Sequence, residues 1–201
     1  MDWKAQTIQT YDDSAAGLAE KFKGIGARTD DIEIALGLAQ AGADARVIEI
    51  GCGDGRDAEE IVKRVGWYEG FDPSEGLLRL ACQRLPETSF VKADALSYTY
   101  PNDLNVVFAL ASLLHVNQAD FKKVCAKVAV SLVPGGIFLI SLKERPEYAE
   151  VIQEDKFGAR MFYYYNTELV EGIAGADFTS VNVIRKTMDH TDWFTIALRK
   201  N

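Results

Sequence analysis

Cysteine is scarce in this chain: Cys52, Cys82 and Cys125 stand far apart and are odd in number. That spacing offers neither a disulfide framework nor a C-x-x-C metal or redox site, and reduced thiols point to a cytoplasmic setting. Long apolar runs are lacking too, since none reaches the roughly 18 residues of a membrane-crossing helix. The opening Met1-Asp2-Trp3-Lys4-Ala5-Gln6 sets no basic stretch ahead of an apolar one, so no secretory leader is expected. Basic charge is in deficit, with 22 Lys and Arg against 30 Asp and Glu and a formal charge of −8. No basic cluster stands out, and such a surface repels a phosphate backbone, so nucleic acid is not an expected partner. Repeats, low-complexity stretches and dividing linkers are also missing. The 201 residues, 48% apolar and 26% charged, are therefore expected to form one domain spanning 1–201 with a sizeable core.

What is present is an alternation. Residues 1–45 read as a helical cap region, with apolar residues at helical spacing over 13–22 and Asp30 as a candidate cap before Ile32, Ile34, Ala35, Leu36 and Leu38. From Val47 short strands are expected at 47–50, 67–71, 89–91, 106–110 and 137–142, with helices at 57–65, 74–85 and 119–132. Pro134-Gly135-Gly136 stops the last of these. The near-continuous apolar run Val106-Val107-Phe108-Ala109-Leu110 suits a parallel sheet covered by helices on both faces. After a helix at 167–174, runs at 180–186 and 193–199 around a short polar segment predict an antiparallel hairpin. The expectation is a doubly wound, Rossmann-like α/β fold. Its seven-stranded, mostly parallel sheet ends in that C-terminal hairpin.

Three features converge at the ends of successive strands. Val47-Ile48-Glu49-Ile50-Gly51-Cys52-Gly53-Asp54-Gly55-Arg56-Asp57 is a strand, a glycine-rich turn and a helix start, where backbone can approach a ligand. Asp72 ends the next strand and could accept both hydroxyls of a ribose; Asp94 ends the third and could receive an adenine amino group. Ligands of open α/β sheets bind along that edge, so a nucleoside-type cofactor is expected. The spacing Gly51, Gly53, Gly55 departs from G-x-G-x-x-G, and Asp54 has the wrong sign for a pyrophosphate. A carboxylate near this loop suits a cofactor with an amino group and no phosphate, as in S-adenosylmethionine.

These segments resemble those of class I S-adenosylmethionine-dependent methyltransferases of small-molecule type, over nearly the whole chain. Residues 49–57 resemble the family's first motif, and Phe71-Asp72-Pro73-Ser74 with Leu77, Leu78 and Ala81 its ribose-binding segment. Residues 93–96 resemble the adenine-binding segment, 105–115 the fourth motif and 132–136 the post-helix turn. Asn105 stands where the family commonly has Asp. The resemblance implies S-adenosylmethionine as cofactor and S-adenosylhomocysteine as product. It places Gly51, Cys52 and Gly53 along the methionine part, Asp72 and Pro73 at the ribose, Asp94 and Ala95 at adenine, and Ala109 and Leu110 near the sulfonium. Tyr11 takes the place of a tyrosine over the cofactor.

The acceptor is less legible. Methyl transfer needs alignment and exclusion of water, with a general base only where the acceptor requires one. His115, after the fourth strand, reads either as that base or as a histidine ordering a loop; His190 reads as a surface residue. Arg160, Tyr163 and Tyr165, in Arg160-Met161-Phe162-Tyr163-Tyr164-Tyr165-Asn166, read either as acceptor-gripping groups or as sheet packing and rim charge. A nucleobase amino-methyltransferase would carry prolines where 105–108 has none, and neither a zinc-thiol nor a catechol-type metal site can be assembled. A small-molecule acceptor and a monomer or homodimer are expected. A non-catalytic cofactor-binding domain and a nicotinamide-dependent oxidoreductase are the alternatives.

Overall fold

The computed structural model describes residues 2–201. Three helices come first: α1 (Trp3–Asp13), α2 (Ala15–Lys23) and α3 (Thr29–Leu38). The Asp2 carboxylate caps α1 by accepting from the Lys4 and Ala5 N–H groups. Asp30 is not a cap, because α3 already begins at Thr29 and Asp30 sits in its first turn, where a carboxylate complements the helix dipole.

Next come β1 (Arg46–Ile50), α4 (Ala58–Ile61), β2 (Trp67–Asp72), α5 (Glu75–Arg84), β3 (Ser89–Lys92), β4 (Leu104–Leu110), α6 (Gln118–Ser131) and β5 (Leu132–Lys143). The helix expected over 57–65 is only four residues long, and the chain after it is turn that re-enters β2. Pro134-Gly135-Gly136 falls inside β5. Gly135 has φ +81°, and the β4 register jumps from Leu104–Leu132 to Val106–Ile137, so this stretch bulges before regular pairing starts.

The chain closes with β6 (Ala149–Asp155), β7 (Gly158–Tyr164), α7 (Thr167–Ala174), β8 (Phe178–Met188) and β9 (Thr191–Lys200). The main sheet has the order β3-β2-β1-β4-β5-β9-β8, parallel through β5, with β9 and β8 antiparallel. Alternation along the inner strands divides the core. Val106 and Phe108 of β4 with Ile137 and Leu139 of β5 meet α3 and α4 through Ile32, Ala35, Ala58 and Ile61. Val107, Phe138 and Ile140 meet α6 and α7 on the other face through Phe121, Val124, Val128 and Val170. Both faces are covered, which is why the sequence of β4 is apolar at nearly every position.

Of the N-terminal region, then, α3 is a sheet-covering helix, whereas α1 and α2 lie against α5, and α1 against β7. The hairpin β6–β7 forms its own two-stranded sheet. It is tied to α1 and the residue after it: Thr7 Oγ1 accepts the Met161 N–H, Thr10 donates to the Ala159 carbonyl and Ser14 to that of Phe157. Among the described residues no helix is long and apolar enough to cross a membrane.

Candidate active site

A cavity of about 930 Å³ lies at the carboxyl edge of the sheet, roofed by α1, the α2–α3 connection and β7. That is within the range of small-ligand sites. Its floor is the turn after β1. Gly51 has φ +71°, and a Cβ there would stand 2.3 Å from Ser112 Cβ, so only glycine fits between the β1 and β4 turns. The Gly51 and Cys52 N–H groups donate to the Phe71 carbonyl at 2.8 and 3.1 Å, locking this turn onto β2.

Asp72 is the hub of the floor. Oδ2 accepts the Gly53 N–H at 3.0 Å and Oδ1 the Ser74 N–H at 2.8 Å. Burial pushes its carboxyl up to about 6, with Asp12 adding to the rise against those two N–H bonds. Asp12 on α1 in turn accepts from Ser74 Oγ and the Gly76 N–H, both at 2.8 Å.

The expected cofactor residues Tyr11, Gly51, Cys52, Gly53, Asp72, Pro73, Asp94, Ala95 and Leu110 all line this one cavity. Ala109 does not: it is fully buried in the core on the α6 side, because neighbours along a strand point to opposite faces. Asp94 is already engaged, with Oδ1 accepting the Leu96 and Ser97 N–H groups and Oδ2 3.3 Å from Lys4 Nζ. Asp54 is tied to Arg84 at 2.6 Å, so its charge is largely neutralised and weighs less against a pyrophosphate than its sign alone implies.

His115 reaches the cavity on a single 3₁₀ turn, Leu113–His115, but both ring nitrogens are spent. Nδ1 lies 2.6 Å from the Met161 carbonyl and must donate; Nε2, 2.8 Å from the Tyr11 hydroxyl, must then accept. Burial first, then the charges of Arg160 and Lys143, push its pKa down to about 3 against the Met161 bond. A neutral histidine engaged at both nitrogens holds Tyr11 in place, which fits the loop-ordering one of its two readings. Burial likewise raises the Tyr11 hydroxyl, with Arg160 opposing.

Strand β7 sorts the aromatic segment by alternation. Arg160 and Phe162 face the cavity, while Tyr163 and Tyr165 fall on the other side and do not line it. Tyr163 stacks on Tyr148; Tyr165 is fully buried, edge-on to Phe121, and donates to the Val116 carbonyl. Of their two readings, sheet packing is the one these contacts fit: Tyr163 is half-buried on the face of β7 away from the cavity, and Tyr165, just past the strand, is buried. Arg160 is 5% exposed, pairs with Asp155 at 2.6 Å, and stands over the Tyr11 and Phe162 rings.

Four buried side-chain atoms lack a hydrogen-bond partner among the described residues: Asp31 Oδ1, Arg46 Nε, Ser112 Oγ and Arg160 Nε. All but Arg46 belong to residues lining this cavity. Buried polar groups are rarely left unpaired, so three such atoms in residues around one hollow set this cavity apart from the rest of the core. Sequence reasoning missed Arg28 and Asp31. Arg28 donates from Nε to Asp31 Oδ2 at 2.8 Å and from Nη2 to Ser141 Oγ at 2.8 Å and Thr195 Oγ1 at 3.2 Å. Local spacing pairs the two but does not reveal their place in the cavity, because Ser141 and Thr195 come from β5 and β9.

Residues 47–136 match the family model of the methyltransferase domain. Trans-aconitate 2-methyltransferase of Rhodopseudomonas palustris is 34% identical over 149 residues, covering 71% of this chain and 51% of that protein. The same enzyme of Methylobacterium nodulans is 30% identical over 151 residues, 71% of this chain and 58% of that one. The chain thus spans about half the length of the curated relatives it matches. Among solved structures, a methyltransferase of Leishmania major superposes with TM-score 0.77 at 16% identity, covering 98% of this chain and 82% of the other. The N-methyltransferase NodS of Bradyrhizobium japonicum, in complex with S-adenosylhomocysteine, superposes with TM-score 0.66 at 18% identity, covering 86% and 84%. With its glycine turn, strand-end acids and sheet order, the chain carries a methyltransferase domain over 47–136 and has the class I S-adenosylmethionine-dependent methyltransferase fold.

Proposed function

We propose that this protein transfers a methyl group from S-adenosylmethionine to a small carboxylic acid. The residues around the cavity fit the cofactor part by part. Asp72, a buried carboxylate at the end of β2, suits the ribose hydroxyls; Asp94 and Ala95 suit adenine; the Gly51–Cys52–Gly53 turn suits the methionine chain. The unpaired Asp31 Oδ1 and Ser112 Oγ, with Arg28 beside them, suit its ammonium and carboxylate. When bound, S-adenosylmethionine supplies an electrophilic methyl on a sulfonium, displaced in line by the acceptor.

The observation carrying the acceptor class is Arg160. Its guanidinium is buried at the cavity wall, Asp155 takes one end, and Nε is left without a partner. A planar guanidinium lining a cavity is the group that orients a carboxylate. The chemistry agrees, since a carboxylate is already ionised at neutral pH and needs no base, and both His115 ring nitrogens are engaged by Tyr11 and Met161. The chain's part is then to bind, align and exclude water, with Tyr11 and α1 as the roof. The name of the relatives, which carries trans-aconitate, points to the same acceptor class. Free cysteines at positions 52, 82 and 125 fit a cytoplasmic setting.

The test is release of S-adenosylhomocysteine against a panel of carboxylic acids, phenols, amines and thiols. Turnover confined to acids, with KM raised at least about tenfold in Arg160→Met, is expected from loss of a charge-assisted contact. Turnover of amines or thiols instead would sink the acceptor assignment. Binding of S-adenosylhomocysteine with no turnover on the whole panel would leave a cofactor-binding domain without this activity.

A further inference from the structure

Beyond Arg160 the cavity runs on toward the β5–β9–β8 edge of the sheet, where a row of three residues crosses the strands. Lys143 of β5 pairs with Trp193 of β9, and Trp193 with Lys186 of β8. All three line the cavity. Lys143 is half-buried among aromatic rings. Its Nζ sits 3.8 Å from the centre of the Phe162 ring, 5.8 Å from that of Tyr164 and 5.9 Å from that of Trp193. Its single hydrogen bond is to a neutral group, Gln153 Oε1 at 3.0 Å, and Gln153 is held in turn by the Tyr164 hydroxyl.

The charges do not balance. The acids of this end are Asp155, shared by Arg160 at 2.6 Å and Lys21 at 3.6 Å, and Asp189 in the turn after β8. Among the described residues neither Lys143 nor Lys186 pairs with a carboxylate. A half-buried ammonium in an aromatic nest without a counter-ion is costly, and the more unexpected in a chain of net charge −8. The site is built to receive negative charge from outside the protein.

We propose that Lys143, with Lys186 behind it across Trp193, reads a second anionic group on the acceptor, so that the cavity selects a dicarboxylate over a monocarboxylate. This rests on the carboxylate reading above and deepens it. Arg160 Cζ lies 5.6 Å and Lys143 Nζ 3.8 Å from the centre of the same Phe162 ring, so the two cations are close enough for the two ends of one short diacid. Arg160 takes one carboxylate and Lys143 the other. Burial, with repulsion from Arg160, Lys21 and Arg145 against the pull of Asp155, lowers the Lys143 ammonium to about 8. It is charged at neutral pH and loses its charge under mildly alkaline conditions.

The experiment is calorimetric titration of succinate and butyrate, matched in length, into protein saturated with S-adenosylhomocysteine. At pH 7 succinate is expected to bind about tenfold tighter or more, as one added charge-assisted contact provides. Lys143→Met should shrink that preference below about threefold, and Lys143→Arg should keep it. In the wild type the preference should fade between pH 7 and about 9.5, and in Lys143→Arg it should not. Equal binding of the two acids by the wild type, or an intact preference in Lys143→Met, overturns the proposal. If S-adenosylhomocysteine binds and neither acid does, the carboxylate reading fails and takes this one with it. If S-adenosylhomocysteine does not bind, the cofactor assignment fails.

Discussion

Asp72 sets stability against function, and the conflict can be measured. Its carboxyl titrates at about 6 in the fold, against 3.8 for an unperturbed aspartate. Between those values the native chain holds the proton more tightly than the unfolded chain does. The unfolding free energy therefore falls as pH rises from about 4 to 6. A gap of about two pH units corresponds to about 3 kcal/mol of stability, present in acid and lost by neutral pH. Asp72→Asn abolishes that titration. It also turns one acceptor oxygen into an NH₂ group facing the N–H of Gly53 or Ser74, at a cost of about 1.5–3 kcal/mol. At pH 7 the two effects nearly cancel, so a single melt would see little. The informative quantity is the difference between variant and wild type in urea unfolding at pH 4 and at pH 7.5. It should move in the variant's favour by about 2–3 kcal/mol over that interval. S-adenosylhomocysteine should bind the variant about tenfold or more weakly, and the wild type should lose affinity below about pH 6, because the ribose hydroxyls need an ionised acceptor. A stability difference that stays flat with pH would refute the claim that the fold raises this carboxyl.

Two further outcomes follow from the site. His115→Ala should keep S-adenosylhomocysteine affinity and lose less than about tenfold in turnover, with no ionisation near 6.5 in the wild-type rate profile; a loss of about 10²–10⁴-fold with such an ionisation would restore it as the base. Asp31→Asn and Arg28→Met should narrow the preference for S-adenosylhomocysteine over 5′-methylthioadenosine, which lacks the amino-acid end, by about tenfold or more, leaving 5′-methylthioadenosine affinity unchanged. An unchanged preference would remove the pair from the site.

The sequence by itself determined everything that rests on local spacing. The turn from Gly51 to Gly55, the acids closing β2 and β3, the apolar run of β4 and the polar turn between β8 and β9 are each written in consecutive residues. They suffice for the fold class and for one side of the cavity, because a parallel sheet brings its strand ends to one edge whatever the rest of the chain does. Helix α4 and hairpin β6–β7 escaped for opposite reasons. The residues after Ile61 have helical composition yet are drawn into a turn that delivers the chain to β2. Strand β6, Ala149-Glu150-Val151-Ile152-Gln153-Glu154-Asp155, is too acidic to read as a strand and holds its shape by pairing with β7. Once β7 is a strand, its period of two puts Arg160 and Phe162 at the cavity and turns Tyr163 and Tyr165 away, a choice that composition cannot make. Tertiary structure alone decided the remainder. Arg28 meets Ser141 and Thr195, His115 meets Tyr11 and Met161, and Lys143 meets Phe162 and Trp193 across separations that no local pattern encodes. Charge and burial at those meetings determine whether a histidine is a base or a strut, and whether a lysine is surface charge or a reader of an anion.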